Sequence, residues 1–410
     1  MNSFIEKSLR LVEKLVPKKI YKFFQPTYHL CLSFIGAIIY RFPARNIHVV
    51  AITGTKGKST TTEFVNAVLE EAGYKTAILS TIRFKIADHN KANLYKMTMP
   101  GRFFVQKFLR EAVDAGCQFA IMETTSEGSK FWRHAFTSIN TLIFTNLTPE
   151  HIESHGSFEK YRDAKLRIAR SVARSHKKNR RIIANATDKN GPHFLIYNIE
   201  HNIPYYESDA KKLDISIPGE FNKINALAAA TFARSLGISE DKISSALLHL
   251  THVPGRVEEV NAGQNFKVVV DYAHTVESLE KLYKTYTGRK IAVLGSCGGG
   301  RDKAKRPKLG SIADQYCDVV IVTDEDPYDD DVMEIINDVA AGVTNHEPII
   351  EPDRRLAIRL AITKAKPGDT ILISGKGTDP YIMRENGKKE VWSDAKVAKE
   401  ELDRYLSVNG

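Results

Sequence analysis

Short apolar runs rich in β-branched residues recur along this 410-residue chain, each followed by a stretch with helical spacing. HVVAIT, KTAILS, QFAIME, TLIFTN and RIIANA come first, between His48 and Ala186. FKVVVDYAH, KIAVLGS, DVVIVTD and DTILISG repeat the pattern between Phe266 and Gly375. Strands that are apolar on both faces are covered on both, and helices flanking a parallel sheet provide that cover. The alternation predicts an α/β chain built on parallel sheets. It also confines ligands to the loops beyond the carboxyl ends of the strands.

The chain is too long for one small core. We expect a basic helical N-terminal segment (1–47), a central α/β domain (48–253) and a C-terminal Rossmann-like α/β domain (254–410), with the last cut at Pro254-Gly255-Arg256. At 42% hydrophobic and 26% charged residues, the composition is that of an ordinary soluble globular protein. Cys31, Cys117, Cys297 and Cys317 form no C-x-x-C pair, so no zinc site or disulfide framework is expected, and a reducing cytoplasm fits.

Charge is unevenly placed. Residues 1–46 carry eight Lys and Arg against Glu6 and Glu13, a net +6 out of the whole chain's +10. The remainder is only mildly basic, so no nucleic-acid partner is expected. SFIEKSLRLVEKLV sets Phe4, Ile5, Leu9, Val12 and Val16 near one helical face, and the apolar run LCLSFIGAII follows. That run is shorter than the ~20 residues needed to cross a bilayer, and no small-residue cleavage site accompanies it. Two readings stand open: a surface helix on the inner face of an anionic membrane, or a helical hairpin packed on the next domain.

The sharpest local motif is HVVAITGTKGKSTTTEF. The general phosphate-loop spacing G-x-x-x-x-G-K-[ST] fails, because Ile52 stands at the first glycine position and Gly54 opens a shortened G-T-K-G-K-S turn. The physics of the loop survives. A glycine turn between strand and helix aims backbone N–H groups and the helix N-terminus at an anion. Lys58 can reach β- and γ-phosphates, and the Ser59 hydroxyl can bind magnesium. Glu123 follows the apolar run Phe119 to Met122, and Glu150, His151, Glu153 and His155 come after the run Leu142 to Phe144. Carboxylate and imidazole beside phosphates suit magnesium.

In the last third, GSCGGGRDKAKRPKLG joins three glycines to Arg301, Lys303, Lys305 and Arg306: either a solvated basic loop or a turn for carboxylate or phosphate. VTDEDPYDDD presents Asp324, Glu325, Asp326 and Asp329 to Asp331, either an exposed acidic loop or a pocket for an amine-bearing substrate.

From Val49 onward the order of motifs resembles the Mur ligases, the ATP-dependent amino-acid ligases of peptidoglycan assembly, and most nearly their tripeptide-synthetase (MurE) type. The turn TGTKGKSTT resembles their short loop G-T-[NK]-G-K-[ST]. The resemblance implies a central P-loop ATPase domain followed by a Rossmann-like ligase domain, acting as a monomer. It implies ATP contacts from Gly54, Thr55, Lys56, Gly57, Lys58, Ser59 and Thr60, from Asn222 and Asn225 in GEFNKIN, and from Arg256 in PGRVE and Asp271 in VDYAHT. Ser59, Glu123, His151 and Lys165, the last as an N-carboxylated lysine, would hold Mg2+. Lys58, Glu123, His151 and Lys165 would carry the chemistry.

MTMPGR and METTSEGSKFWR resemble the acceptor-binding motifs through Thr98, Ser126 and Arg133, with Met99 and Glu127 departing from the pattern. Arg301 would hold the α-carboxylate of the incoming amino acid. Where relatives that use diaminopimelate read D-N-P-R, this chain reads Glu325-Asp326-Pro327-Tyr328. Likewise G-K-G-H-E becomes GKGTDPY, Gly375 to Tyr381. Loss of the arginine, with acids at Asp326 and Asp379, points to L-lysine or another diamino acid. Family members carry about a hundred residues of nucleotide-sugar-binding domain ahead of the loop. Here Gly54 follows only 53 residues, which suggests a lipid-linked muramoyl peptide as well as a UDP-linked one. A folylpolyglutamate-type ligase and a nucleotide-binding scaffold without turnover are the competing readings.

Overall fold

A computed structural model describes the backbone of residues 18–150 and 155–409. The stretch Phe4–Val16 and the expected metal ligand His151, with Glu153, lie outside the described residues. The described chain divides into two compact units, one reaching Leu213 and including Ile224–Leu247, the other formed by Asp214–Lys223 and the residues from Leu248 on.

The first unit is built on β1 (His48–Thr53), β2 (Thr76–Leu79), β3 (Arg83–Ile86), β4 (His89–Ala92), β5 (Phe119–Glu123), β6 (Thr141–Phe144), β7 (Arg181–Asn185) and β8 (His201–Tyr205). They form one sheet in the order β4-β3-β2-β5-β1-β6-β7-β8. From β2 to β8 the pairs are parallel, and β3 and β4 add an antiparallel edge. The two-residue period of a strand sends alternate side chains to opposite faces. Ala51, Ala77, Leu79, Met122, Leu142, Phe144 and Ile182 share one buried core with Val105 and Leu109 of the helix Arg102–Asp114 and with Ile168 and Val172 of the helix Phe158–Ala173. Val50, Ile52, Ile78, Ile121 and Ile143, on the alternate positions, are fully buried as well. Register fixes the end that matters for function: Ile52 pairs with Glu123 and Thr53 with Phe144, so the turns after β1, β5 and β6 leave the sheet at one edge.

The second unit repeats the plan with β9 (Glu258–Glu259), β10 (Lys267–Asp271), β11 (Lys290–Leu294), β12 (Val319–Val322), β13 (Ile349–Ile350) and β14 (Thr370–Ser374) in the order β13-β12-β11-β14-β10-β9. All neighbours are parallel except β9. A separate hairpin joins β15 (Tyr381–Met383) to β16 (Lys389–Val391). One buried ion pair organises the carboxyl ends here. Arg354 grips both oxygens of Asp394 at 2.8 and 2.7 Å and donates to the carbonyls of Asp324 and Ser374, which follow β12 and close β14.

The run expected near the N-terminus lies in the helix Lys18–Ile39. Its inward face is small and polar: His29, Ser33, Gly36 and Ala37 are buried. Ser33 donates to the Trp132 carbonyl at 2.9 Å, His29 meets the Phe131 ring edge-on at 5.1 Å, and Gly36 lies against Phe103 and Gln106.

Candidate active site

In the first unit the turn after β1 is held from β6. Asn146 accepts the Lys56 N–H at 2.9 Å through its side chain and the Thr55 N–H at 2.9 Å through its carbonyl. Its amide and the Thr145 hydroxyl both donate to the Lys56 carbonyl, at 3.1 and 2.8 Å. Thr55 shares a hydrogen bond with the Tyr161 hydroxyl at 3.0 Å, and Lys56 pairs with Glu150 at 2.8 Å. The glycines are steric requirements. At Gly54 (φ +156°) an added Cβ would sit 1.9 Å from Thr145 Oγ1, and at Gly57 (φ +80°) 2.2 Å from Asn225 Oδ1. Gly57 caps the helix Lys58–Glu71 without a side-chain hydrogen bond, which leaves the first helical amides to an external acceptor.

Two lysines converge on this turn. Lys58 donates to the Gly54 and Thr55 carbonyls at 3.0 and 2.9 Å, and Lys165, from the helix Phe158–Ala173, donates to the same Gly54 carbonyl at 2.7 Å. Lys165 is buried, and among the described residues no carboxylate lies within ion-pair distance of it. Burial, then the neighbouring Lys58 ammonium, pushes its amine well below the ordinary lysine value, with Glu150 opposing. Opposite in sign is Glu123, at the end of β5. It is fully buried, and its two oxygens accept the Thr81 N–H at 3.0 Å and hydroxyl at 2.9 Å. Among the described residues it has no ion-pair partner. A buried carboxylate without a counter-ion fits a cation, and a cationic turn with an open helix start fits a polyphosphate. Among the described residues no group of three or more His, Cys, Asp or Glu side chains is placed to hold a metal ion. Magnesium beside phosphates needs only one or two protein ligands. Glu123 and Ser59, which is buried at the helix start, are the described side chains that suit it.

Of the residues expected to bind the acceptor, Thr98 is joined to Glu123. Thr81 bridges the two, through a hydroxyl contact of 2.9 Å with Thr98. Ser126 lies 3.1 Å from His155 Nε2, and Arg133 donates to the Met99 carbonyl at 2.6 Å. Met99, standing where the family pattern has a second threonine, is buried against Gly128. Asn225 also falls in this unit, accepting from Thr61 at 3.4 Å.

Asn222 belongs to the second unit, where its side chain donates to the Pro218 carbonyl at 2.6 Å. There Arg256 and Asp271 come together. The guanidinium lies 4.5 Å over the Tyr272 ring, and Asp271 accepts from Val257 N–H at 2.8 Å and Ala273 N–H at 2.7 Å. Burial raises the Asp271 carboxyl above its ordinary value, against the pull of Arg256. The loop after β11 is sewn to the loop after β12: Gly298 N–H donates to the Asp326 carbonyl at 2.8 Å, and Arg301 stands near the Tyr328 side chain.

In the acidic stretch Asp324, Glu325 and Asp326 are buried, so this part is not the exposed loop that was one of the two readings. Lys376, fully buried, donates to Asp326 at 2.9 Å and lies 3.6 Å from Asp379, so the protein places its own ammonium between the two expected amine receptors. Asp324 pairs with Arg384, and Asp330 with Arg306. Glu325 remains, buried, taking a hydrogen bond from the Cys297 thiol at 3.0 Å and packed against Gly375. Thr81, Thr145, Asn146 and Lys376 were not picked out from the sequence. Thr145-Asn146, a polar pair directly after an apolar run, was the available signal.

Comparison with known proteins follows this geometry. The Mur ligase middle domain family matches residues 52–208, and the Mur ligase glutamate ligase domain family matches residues 255–377. A UDP-N-acetylmuramyl-tripeptide synthetase of Roseiflexus sp. (strain RS-1) is 36% identical, over 92% of this chain and 82% of its own. A UDP-N-acetylmuramoyl-L-alanyl-D-glutamate–2,6-diaminopimelate ligase of Syntrophomonas wolfei is 35% identical over the same shares, 92% and 82%. Among solved structures, a folylpolyglutamate synthase of Mycobacterium tuberculosis complexed with ADP superposes with a TM-score of 0.68 at 15% identity, covering 92% of this chain and 94% of that one.

Proposed function

This chain belongs to the Mur ligase family, and from that premise we propose that it joins an amino acid to a muramoyl-peptide carboxylate, driven by ATP, in peptidoglycan precursor synthesis. The observation that carries the proposal is the pairing of opposites at the edge of the first sheet. A buried lysine and a buried glutamate, each without an ionic partner among the described residues, flank a turn shaped for phosphates.

In this reading Lys58 and the first amides of its helix take the β- and γ-phosphates. Ser59, Glu123, His151 and a carboxylated Lys165 would hold magnesium, which would neutralise phosphate charge. Carboxylation needs a neutral amine: Lys165 Nζ forms an N–C bond to carbon dioxide and releases a proton, and its depressed pKa favours that form. Arg133, Thr98 and Ser126 position the acceptor carboxylate. One carboxylate oxygen bonds to the γ-phosphorus as the bond to ADP breaks, giving an acyl phosphate. The amine then adds to the acyl carbon, loses a proton and expels phosphate. Arg301 holds the α-carboxylate of that amine, and Arg256 and Asp271 serve the nucleotide.

The added amino acid is proposed to be L-lysine or another diamino acid. Asp326 and Asp379 stand beside the Lys376 ammonium, and the neighbouring Glu325 is buried; a distal ammonium suits these carboxylates better than a distal carboxylate. Magnesium-dependent phosphate release from ATP with UDP-muramoyl-dipeptide tests this directly. Release with lysine and none with diaminopimelate is expected. The reverse would overturn the amino-acid assignment and leave the ligase. Silence with every amino acid, but release with a pteroyl glutamate acceptor, would overturn the muramoyl assignment. Asp379→Asn is expected to raise the KM for lysine roughly tenfold, about 1.4 kcal/mol, with the KM for ATP unchanged. Glu123→Gln keeps the shape and removes the charge. It should raise the magnesium concentration for half-maximal rate by about tenfold or more, measured by titration at saturating ATP.

A further inference from the structure

Over its described side chains, from residue 27 on, the helix Lys18–Ile39 packs inside out. Its buried side is small and polar, whereas Phe34, Ile35, Ile38 and Ile39 stand 45%, 44%, 50% and 50% exposed, with Cys31 exposed on the same stripe. Positions 31, 34, 35, 38 and 39 follow the three- and four-residue spacing of one helical face. A helix covering a domain normally turns its large apolar side chains inward, so this stripe is arranged for something outside the unit. Aromatic rings extend it: Phe34 lies 5.3 Å from Phe136 and 6.3 Å from Phe42, and the Arg45 guanidinium sits 4.6 Å over the Phe42 ring. Arg41 and Arg45 are exposed at its end.

We propose that this face docks the enzyme on an anionic lipid bilayer. The charge argues for lipid over the other occupants. Residues 1–46 carry eight cationic side chains against two glutamates. A second copy would bring like charges together, and the residues before Lys18 carry the same sign. Anionic headgroups complement the cations while the apolar stripe enters the interface. Among the described residues no helix is long and apolar enough to cross a membrane, so the helix lies on the surface. The contact has a functional address. Ser33 holds the Trp132 carbonyl, and the next residue is Arg133, which braces the acceptor segment at Met99. Docking therefore brings the acceptor-binding segment to the bilayer. The docking itself does not rest on the ligase reading.

Cys31 is the exposed thiol of this face, Cys117 and Cys317 are buried, and Cys297 is partly exposed, so a Cys31→Ser chain labelled in parallel isolates the signal of Cys31. The full chain, labelled there with an environment-sensitive dye, is mixed with vesicles of phosphatidylglycerol and phosphatidylcholine, or of phosphatidylcholine alone. A blue shift and co-sedimentation with the anionic vesicles, weakened by salt, are expected. Phe34→Glu with Ile38→Glu should lower partitioning at least about tenfold, and Arg41→Glu with Arg45→Glu should lower it by a similar order while leaving the stripe intact. Unchanged phosphate release with a soluble acceptor shows that the variants fold. A shift that tracks protein concentration without lipid would assign the face to a second copy and overturn the proposal. A dye already shielded at every dilution and indifferent to vesicles would assign it to the chain's own preceding residues, again overturning it. So would equal binding to both vesicle types, or none.

Discussion

Lys165→Ala should reduce amino-acid-dependent phosphate release by about a thousandfold or more, with ATP binding retained through Lys58 and the loop amides. The expectation rests on position: Lys165 reaches the Gly54 carbonyl, inside the turn proposed to carry the phosphates. A carboxylated lysine also makes a prediction that a purely structural lysine does not. Small carboxylates such as acetate should restore part of the rate to Lys165→Ala and none to Lys165→Arg. No restoration, with carbon dioxide depletion also without effect on the native enzyme, would remove carboxylation from the mechanism. Stability should move the other way. With the folded pKa depressed, the unfolded chain binds more protons between that value and about 10.4, so stability rises with pH across this window and the cost is full below it. Lys165→Met removes the cost. In the nucleotide-free protein the melting temperature should rise near neutral pH by roughly 2–4 °C per kcal/mol relieved, and the slope with pH should flatten. An inactive but stabilised variant separates catalysis from folding.

Gly54→Ala is the second large effect. The backbone there has φ +156°, and the new methyl would lie 1.9 Å from Thr145 Oγ1 and 3.1 Å from the Asn146 carbonyl. Those groups hold the turn, so the turn must move. Displacement of a positioned reacting group by about 1 Å costs on the order of a hundredfold in rate. We expect that loss in kcat/KM for ATP, and a lower melting temperature. Thr145→Ala in the same chain removes the nearest clash but not the backbone strain, so it should recover only part of the rate. Full activity in Gly54→Ala would show that the turn does not approach the phosphates.

Much of this was legible in the sequence for local reasons. β1, β2, β5, β6 and β7, and later β10, β11, β12 and β14, are continuous apolar runs, and such runs declare strands buried on both faces. β4 was not legible: its residues His89–Ala92 are all exposed, and only pairing with β3 makes them a strand. Lys58 and Ser59 were legible because the phosphate-binding elements are consecutive. Lys165 was not, since a helical lysine looks solvated until the fold buries it; the family resemblance alone picked it out. Thr81 and its bond to Glu123, 42 positions away, had no sequence signature. The ammonium beside the acidic stretch was not legible for the same reason, because Lys376 stands 50 positions from Asp326.

That three-way arrangement has an evolutionary consequence. Asp326 and Asp379 lean on one buried ammonium, so neither acid can be exchanged without changing the charge felt by the other two. A lone substitution toward the asparagine of the D-N-P-R pattern leaves an imbalance inside a dry site, where correction by solvent is weak. Under the proposed reading of the amino acid, changes of preference here are contingent: mutations that are neutral or useful together are harmful in isolation, and their order of arrival matters. Attempts to retarget the enzyme will move faster through libraries that vary positions 326, 376 and 379 jointly than through any sequence of single steps.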